Sequence, residues 1–286
     1  MIAAVVVTYS APAAVLDRCL RALHAEAGLD RIVVVDTGGS ATIEPDLAAR
    51  VELVRMTNRG YGAAANHGFG LTDDAEVTVL LNDDVVAQPG WLPPLLTEFT
   101  AGIGAVQPAI VAADHSIVTS LGVHLDRYGA GSDVGDGGTL PTDRSACDLE
   151  ILNGATVAFG RDFIHDTGGF DERYFLYYED VDLSLRGRES GWRYRLAPEA
   201  VVEHRRGTST GTDVEGTLFH QERNRLWAAF RFGSPGLVMR ATWLSVRRLR
   251  HEPRSLHRRA LLAGLAGAPR ALVDRVRAPG RRTARR

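Results

Sequence analysis

The chain has 286 residues, 45% of them hydrophobic, enough for a sizeable core in one large domain or one domain with an appendage. Cys19 and Cys147, the only cysteines, form neither a metal-ligand pattern nor a disulfide framework, which fits a reducing cytosol. The net charge of −2 is unevenly spread: residues 221–286 hold 17 arginines against three acids, no lysine occurs anywhere, and the body before this basic tail is acidic.

Residues 3–7 are an apolar, β-branched run closed by Thr8-Tyr9-Ser10-Ala11-Pro12, a strand and then a loop. With no basic n-region before it, this start reads as a first strand and not as a signal peptide. Residues 13–27 follow with Val15, Leu16, Cys19, Leu20 and Leu23 on one helical face. Residues 32–35 predict a second strand ending in Asp36-Thr37-Gly38-Gly39-Ser40, and residues 51–56 a third. Residues 60–71 predict a small-residue helix behind a glycine turn. Residues 77–81 are a fourth strand, and residues 89–99 place Trp91, Leu92, Leu95, Leu96 and Phe99 on one side of a helix. This alternation is the signature of a doubly wound α/β layer.

Residues 102–123 add further strands. Residues 128–142 are rich in Gly and Asp and predict a mobile loop or lid outside the core. Residues 151–160 are strand-like, 162–168 a short helix, and 179–189 a helix through Val181, Leu183 and Leu185. Residues 192–196 and 201–204 predict two short strands. After Gly207 the composition changes. Residues 218–232 predict a helix in which Arg223, Arg225 and Arg231 stand beside Leu226, Trp227 and Phe230. Residues 236–250 give no clean apolar stripe on a helical wheel. The longest uncharged stretch near the end, 260–269, is half the ~20 residues a spanning helix needs, so no crossing of a bilayer is expected. Basic helices carrying Trp and Leu are suited to lie on one.

Four stretches carry candidate chemistry. Asn82-Asp83-Asp84 ends a buried strand, where open α/β sheets bind ligands. Adjacent acids repel unless something positive joins them, and a divalent cation carrying a diphosphate would do so; a plain polar turn fits the same residues. Asp36, at another strand end, is placed to accept hydrogen bonds from a ribose or base, as in dinucleotide-binding folds too. Around Arg59, Gly60-Tyr61-Gly62 and the small residues after it allow either phosphate approach at a helix N-terminus or close helix–sheet packing. Tyr174-Phe175-Leu176-Tyr177-Tyr178 delivers Glu179, Asp180 and Asp182 to a helix start. One or two of these acids would face a cleft, where apolar neighbours favour a general base, and the others would cap the helix or meet Arg186. His204 ends an apolar strand, a position open to a structural or a ligand role.

Taken together, these pieces resemble inverting family 2 glycosyltransferases of the GT-A fold, and most closely the rhamnosyltransferase-like branch of bacterial cell-envelope polysaccharide synthesis. The match runs over roughly residues 2–210, and its most specific part is Gly168-Gly169-Phe170-Asp171-Glu172 followed by Tyr177-Tyr178-Glu179-Asp180-Val181-Asp182. The resemblance implies an α/β, Rossmann-like GT-A domain over residues 1–210, with a mostly parallel central sheet and helices on both faces. An Arg-rich helical appendage would occupy 211–286 and meet an anionic membrane surface.

It further implies that Thr8 and Tyr9 flank the nucleotide, Asp36 recognises the base, and Arg59 and Gly60 line the nucleotide-sugar. Asn82-Asp83-Asp84 takes the Asp-x-Asp position, with Asp84 on Mg²⁺ or Mn²⁺ and Asp83 near ribose or sugar. Asp180 takes the catalytic-base position with Glu179 beside it, His204 completes the metal site, and Asn153, Gly154 and Tyr178 stand on the acceptor side. Two departures from the family pattern are Asp36-Thr37-Gly38-Gly39-Ser40 in place of Asp-Asn-Gly-Ser, and Asn82 in place of an acid. The expected activity is transfer of L-rhamnose from dTDP-rhamnose to a glycan or polyprenyl-linked acceptor, with UDP-galactofuranose as the alternative donor. The expected location is cytoplasmic, peripheral on the inner face of the cell membrane, with no nucleic-acid partner. A sugar nucleotidyltransferase would need a glycine-rich, basic loop after the first strand, and Thr8 to Pro12 has neither feature. A non-catalytic, basic-tailed nucleic-acid binder would leave both acidic clusters unexplained.

Overall fold

The computed structural model describes residues 1–113, 117–205, 213–251 and 253–277. The Gly-Thr-Ser-Thr stretch at 207–210 and the basic residues at 278–286 lie outside the described residues. In chain order the first half contains β1 (Ile2–Thr8), α1 (Ala13–His24), β2 (Arg31–Asp36), α2 (Pro45–Ala48), β3 (Glu52–Arg55), α3 (Tyr61–Leu71), β4 (Val77–Asn82), β5 (Val85–Ala87), α4 (Leu92–Thr97) and β6 (Ile103–Val111). The second half contains β7 (Val118–Ser120), β8 (Val123–Leu125), β9 (Gly131–Asp133), β10 (Cys147–Leu149), β11 (Thr156–Gly160), α5 (Arg161–Thr167), α6 (Glu179–Glu189), β12 (Arg193–His204), α7 (Val214–Phe232), α8 (Pro235–Arg248) and α9 (Arg254–Arg277).

The central sheet runs β10-β12-β6-β11-β4-β1-β2-β3, with β5 on β12 and β7 on β6. β4, β1, β2 and β3 form a wholly parallel half. β11 runs antiparallel to both β4 and β6 and so joins that half to the parallel pair β6–β12. β1 and β2 are buried on both faces because their Val and Ala runs have no polar alternation. Each fully buried Val or Leu contributes about 1.5–3 kcal/mol. α1 turns Leu16, Cys19, Leu20 and Leu23 onto one face of the sheet. α3 packs on the other through small residues: a Cβ added at Gly68 would sit 2.2 Å from Val5 Cγ1. Of the two roles open to this small-residue run, the structure gives Gly62 and Gly68 close packing, against Phe170 and Val5.

Two expectations change. The two short strands expected at 192–196 and 201–204 are one strand, β12, with a register shift between Ala197 and Val201 where Pro198 interrupts the ladder. The Gly-rich loop at 128–142 is tethered, not loose. β9 within it pairs with β8 just before it, the Tyr178 hydroxyl donates to Gly129 O (2.9 Å) and accepts from Gly131 N–H (3.1 Å), and Arg225 and Arg240 bind the carbonyls of Tyr128 and, at the loop's entry, Arg127.

The C-terminal helices are built into the same body. α7 packs on α9, where Gly264 and Gly267 receive Leu226 and Trp227. Buried Arg225 and Glu222 pair within α7. Arg231 reaches Asp182 of α6 at 2.6 Å, and Arg186 meets the same carboxylate at 2.7 Å, the pairing expected from its i+4 spacing.

Candidate active site

A cavity of about 700 Å³ opens at the carboxyl ends of β1, β4 and β12. One wall is the Asn82-Asp83-Asp84 turn, with Asp83 and Asp84 almost fully buried. β5 continues from this turn and pairs antiparallel with β12, opposing Val85 to His204. That register sets His204 Nε2 3.1 Å from Asp84 Oδ1. Sequence reading placed both residues at strand ends, but only the β5–β12 pairing puts them in contact.

The opposite wall is the start of α6. Both Glu179 and Asp180 face the cavity. Asp180 Oδ2 accepts from Gly154 N–H at 2.9 Å, and its Oδ1 from Val181 N–H at 2.8 Å. Burial raises the Asp180 carboxyl above the usual range, the two backbone donors pull it back, and the charge of Asp133 lifts it again. Glu179 has no such donors on Oε2, which is buried without a hydrogen bond. Burial, with the Asp180 charge added, pushes Glu179 up to about 8. Tyr61 stands between the two walls. Its hydroxyl donates to Gly154 O at 2.7 Å, and burial together with the charges of Glu179, Asp180, Asp83 and Asp84 raises its phenol well above the usual value.

The remaining candidates divide. Tyr9, Gly60, Asn82, Asn153 and Gly154 line the cavity. Thr8 is buried beside it, its carbonyl accepting from Thr37 N–H at 2.9 Å. The Asp36 carboxylate lies outside the lining. It accepts from the N–H groups of Gly38 (2.9 Å), Gly39 (2.8 Å) and Ala41 (3.0 Å), and so shapes the loop that presents Thr37. Arg59 sits on the outer rim, exposed and paired with Glu172 at 2.5 Å. Tyr178 points away, into the tethered Gly-rich loop.

Several residues were not anticipated. Asp133 lines the cavity and accepts from Asn153 Nδ2 at 2.7 Å. Thr217, His220 and Gln221 of α7 close a further side, with the His220 ring stacked on Phe175 at 5.1 Å. Asn66 brackets Phe170, donating to its carbonyl (2.9 Å) and accepting from its N–H (2.8 Å). Only Asn66 had a signal in the sequence, its place among small residues where a polar side chain needs a partner.

A divalent cation can be tested against these residues. Mg²⁺ and Mn²⁺ favour oxygen-rich coordination and commonly share it between one or two carboxylates and substrate phosphates. Among the described residues no group of three or more His, Cys, Asp and Glu side chains is arranged to hold a metal ion. The buried Asp84–His204 contact at the cavity floor fits a site whose other oxygens come from a bound diphosphate.

The cavity thus sets acids at the carboxyl ends of a mixed α/β sheet opposite a second carboxylate pair, on the GT-A fold that the sequence resemblance implied. Structural comparison agrees on the fold. The chain superposes on GalNAc-T7, solved with UDP, GalNAc and Mn²⁺, with a TM-score of 0.67 at 13% identity, covering 98% of this chain but only 58% of that one. It also superposes on a mannosyltransferase from Pyrobaculum calidifontis, solved with GDP-Man and Mn²⁺, at TM-score 0.52 and 14% identity, covering 94% and 86% of the two chains. In sequence it is 30% identical over 243 residues to the N-acetylglucosaminyl-diphospho-decaprenol L-rhamnosyltransferase of Mycobacterium tuberculosis, covering 75% of this chain and 79% of the relative. Residues 1–225 match the family model "Glycosyltransferase like family 2". The chain belongs to glycosyltransferase family 2.

Proposed function

We propose that the protein transfers a hexose, L-rhamnose from dTDP-rhamnose, to a hydroxyl of a polyprenyl-diphosphate-linked glycan in cell-envelope synthesis, with inversion at the anomeric carbon. The observation that carries this reading is the convergence of two acid pairs on one cavity, Asp83–Asp84 with His204 on one side and Glu179–Asp180 on the other. Similarity to the mycobacterial rhamnosyltransferase supports the sugar and the class of acceptor.

The residues divide the work by charge. Tyr9, Gly60, Asn82 and Asp83 border the donor, and Asp84 with His204 would hold Mg²⁺ or Mn²⁺. A bound cation neutralises the negative charge growing on the leaving diphosphate. Gly154 N–H and Val181 N–H orient Asp180. Asp180 removes the proton from the acceptor hydroxyl. The acceptor oxygen bonds to the anomeric carbon as the bond to the diphosphate breaks, and the nucleoside diphosphate leaves with the electron pair. Attack on the face opposite the leaving group inverts the configuration. Asn153 and Gly154 border the acceptor, and Asp36, through its loop, sets the nucleotide side.

Exposed ridges on the C-terminal helices support a peripheral position on the anionic inner face of the cell membrane. On α8 these are Met239, Trp243 and Val246, and on α9 Leu262, Leu265, Leu272 and Val276. Their i, i+3, i+4 and i+7 spacings put each set on one face of its helix, among arginines.

The test is a thermal-shift and transfer panel of dTDP-rhamnose, UDP-galactofuranose, GDP-mannose and UDP-N-acetylglucosamine, with and without Mn²⁺, on wild type and Asp84→Ala. The expected result is a Mn²⁺-dependent shift and transfer with dTDP-rhamnose, the metal dependence lost in Asp84→Ala. Preference for UDP-galactofuranose would replace the rhamnose assignment, and no response to any nucleotide-sugar would remove the donor assignment altogether.

A further inference from the structure

The aromatic run ahead of Glu179 is held in an unusual backbone. Phe175, Tyr177 and Tyr178 have φ of 65°, 65° and 68°. Non-glycine residues rarely occupy this region, at a cost of about 1–3 kcal/mol each, and they persist there only when their surroundings over-determine them. The overdetermining group comes from α7. Asn224 is fully buried, and its Nδ2 lies 2.9, 2.9 and 2.6 Å from the carbonyl oxygens of Tyr174, Leu176 and Tyr177. An amide nitrogen has only two hydrogens, so one is shared between acceptors. Its Oδ1 accepts from Arg223 Nε at 2.8 Å, which fixes the amide's orientation, and Arg223 Nη2 adds a bond to Tyr174 O at 2.7 Å.

The strapped loop then reaches the base by a short path. Phe175 O accepts from Tyr61 N–H at 2.7 Å, Tyr61 Oη donates to Gly154 O at 2.7 Å, and Gly154 N–H donates to Asp180 Oδ2 at 2.9 Å. Asp180 also lies only two residues beyond the last strained residue, Tyr178, in the first turn of α6. We infer that Asn224, oriented by Arg223, is a positioning residue that holds the 174–178 loop and thereby sets the catalytic carboxylate of Asp180. The inference rests on the reading of Asp180 as base.

The test uses the full chain with Asn224→Ala and, should that variant fold poorly, Arg223→Met, which leaves the buried amide in place. Hydrogen exchange is measured in the free protein. In both variants, exchange is expected to rise about tenfold or more in peptides covering 153–155 and 174–182 and to stay unchanged in the β1–β4 peptides. With dTDP-rhamnose and an N-acetylglucosaminyl-diphospho-polyprenol acceptor, kcat is expected to fall about 10–100-fold and the KM for the donor to change less than about twofold, since misplacement of a catalytic group costs rate before binding. Unchanged exchange in these peptides, or wild-type kcat in a folded variant, overturns the positioning role. A uniform rise in exchange with kcat falling and KM rising together also overturns it, in favour of a purely structural asparagine. A wild type that transfers nothing, or an Asp180→Asn variant as active as wild type, counts against the functional reading instead, and the exchange result still decides the positioning.

Discussion

At the scale of single residues, Asp180 and Glu179 are neighbours with different surroundings. Asp180 has two backbone donors and Glu179 Oε2 has none, so Asp180 is the better-oriented carboxylate of the two. Asp180→Asn is therefore expected to lower kcat by about 10²–10⁴-fold while leaving nucleotide-sugar affinity near wild type, measured by transfer kinetics and calorimetry. Equal loss of both would mark Asp180 as structural. Glu179 also ties stability to pH. Its folded value, about 8, lies above its ordinary 4.5, so between these pH values the folded state binds more protons than the unfolded state. Stability is then present at pH 4.5 and lost as pH rises towards 8. In metal-free protein the melting temperature is expected to fall across this window, and Glu179→Gln is expected to flatten the fall by a few degrees. A profile identical in the two proteins would place the burial cost elsewhere.

At the scale of elements, the site depends on where α3 and α6 begin. Gly60 precedes α3 with φ 98°, and a Cβ there would lie 2.4 Å from Phe175 O and 2.6 Å from its Cα. Gly28 has a similar φ of 89° with nothing within 4 Å of the added Cβ. Both positions favour glycine for backbone reasons, but only Gly60 also meets the 174–178 loop. Gly28→Ala is expected to cost about 1 kcal/mol. Gly60→Ala is expected to cost about 2–4 kcal/mol, because overpacking adds to the backbone strain. At about 2–4 °C per kcal/mol, thermal melts separate the two. Gly60→Ala should also lose transfer activity, and Gly28→Ala should keep it. Equal melting losses would show that the loop yields to the extra methyl.

At the scale of the whole molecule, α8 shows why its wheel looked unpatterned. It buries Ala241 and Ser245, small and polar residues that a hydrophobicity count passes over, and leaves Met239, Trp243 and Val246 at 69%, 51% and 49% exposure. Inside and outside are inverted relative to a simple amphipathic helix, as for a surface with a second partner. Among the described residues no helix is long and apolar enough to cross a membrane. Flotation with vesicles containing phosphatidylglycerol is expected to retain the protein at ~0.1 M salt and release most of it at ~0.5 M, because charge attraction is screened over that range. A Trp243→Ala, Met239→Ser double variant should float less at both salts. Retention on neutral vesicles equal to that on anionic ones would exclude the arginines from the interaction.

The sequence by itself determined the α/β class, the order of the first four strands and the start of α6, because continuous Val and Ala runs, helical spacing and glycine turns are local signals. It also carried the family, since the Gly168-to-Asp182 run is contiguous. Only the tertiary structure decided that β5 pairs with β12 and brings His204 to Asp84, that Asp36 spends its carboxylate on its own loop, and that Tyr178 faces away from the cavity. It alone joined α7 to the site through Asn224 and Arg231. Apart from Asp36, whose donors lie two to five residues on, these are contacts between residues far apart in the chain, chosen by strand register and helix packing, and no spacing within either partner's own segment encodes them.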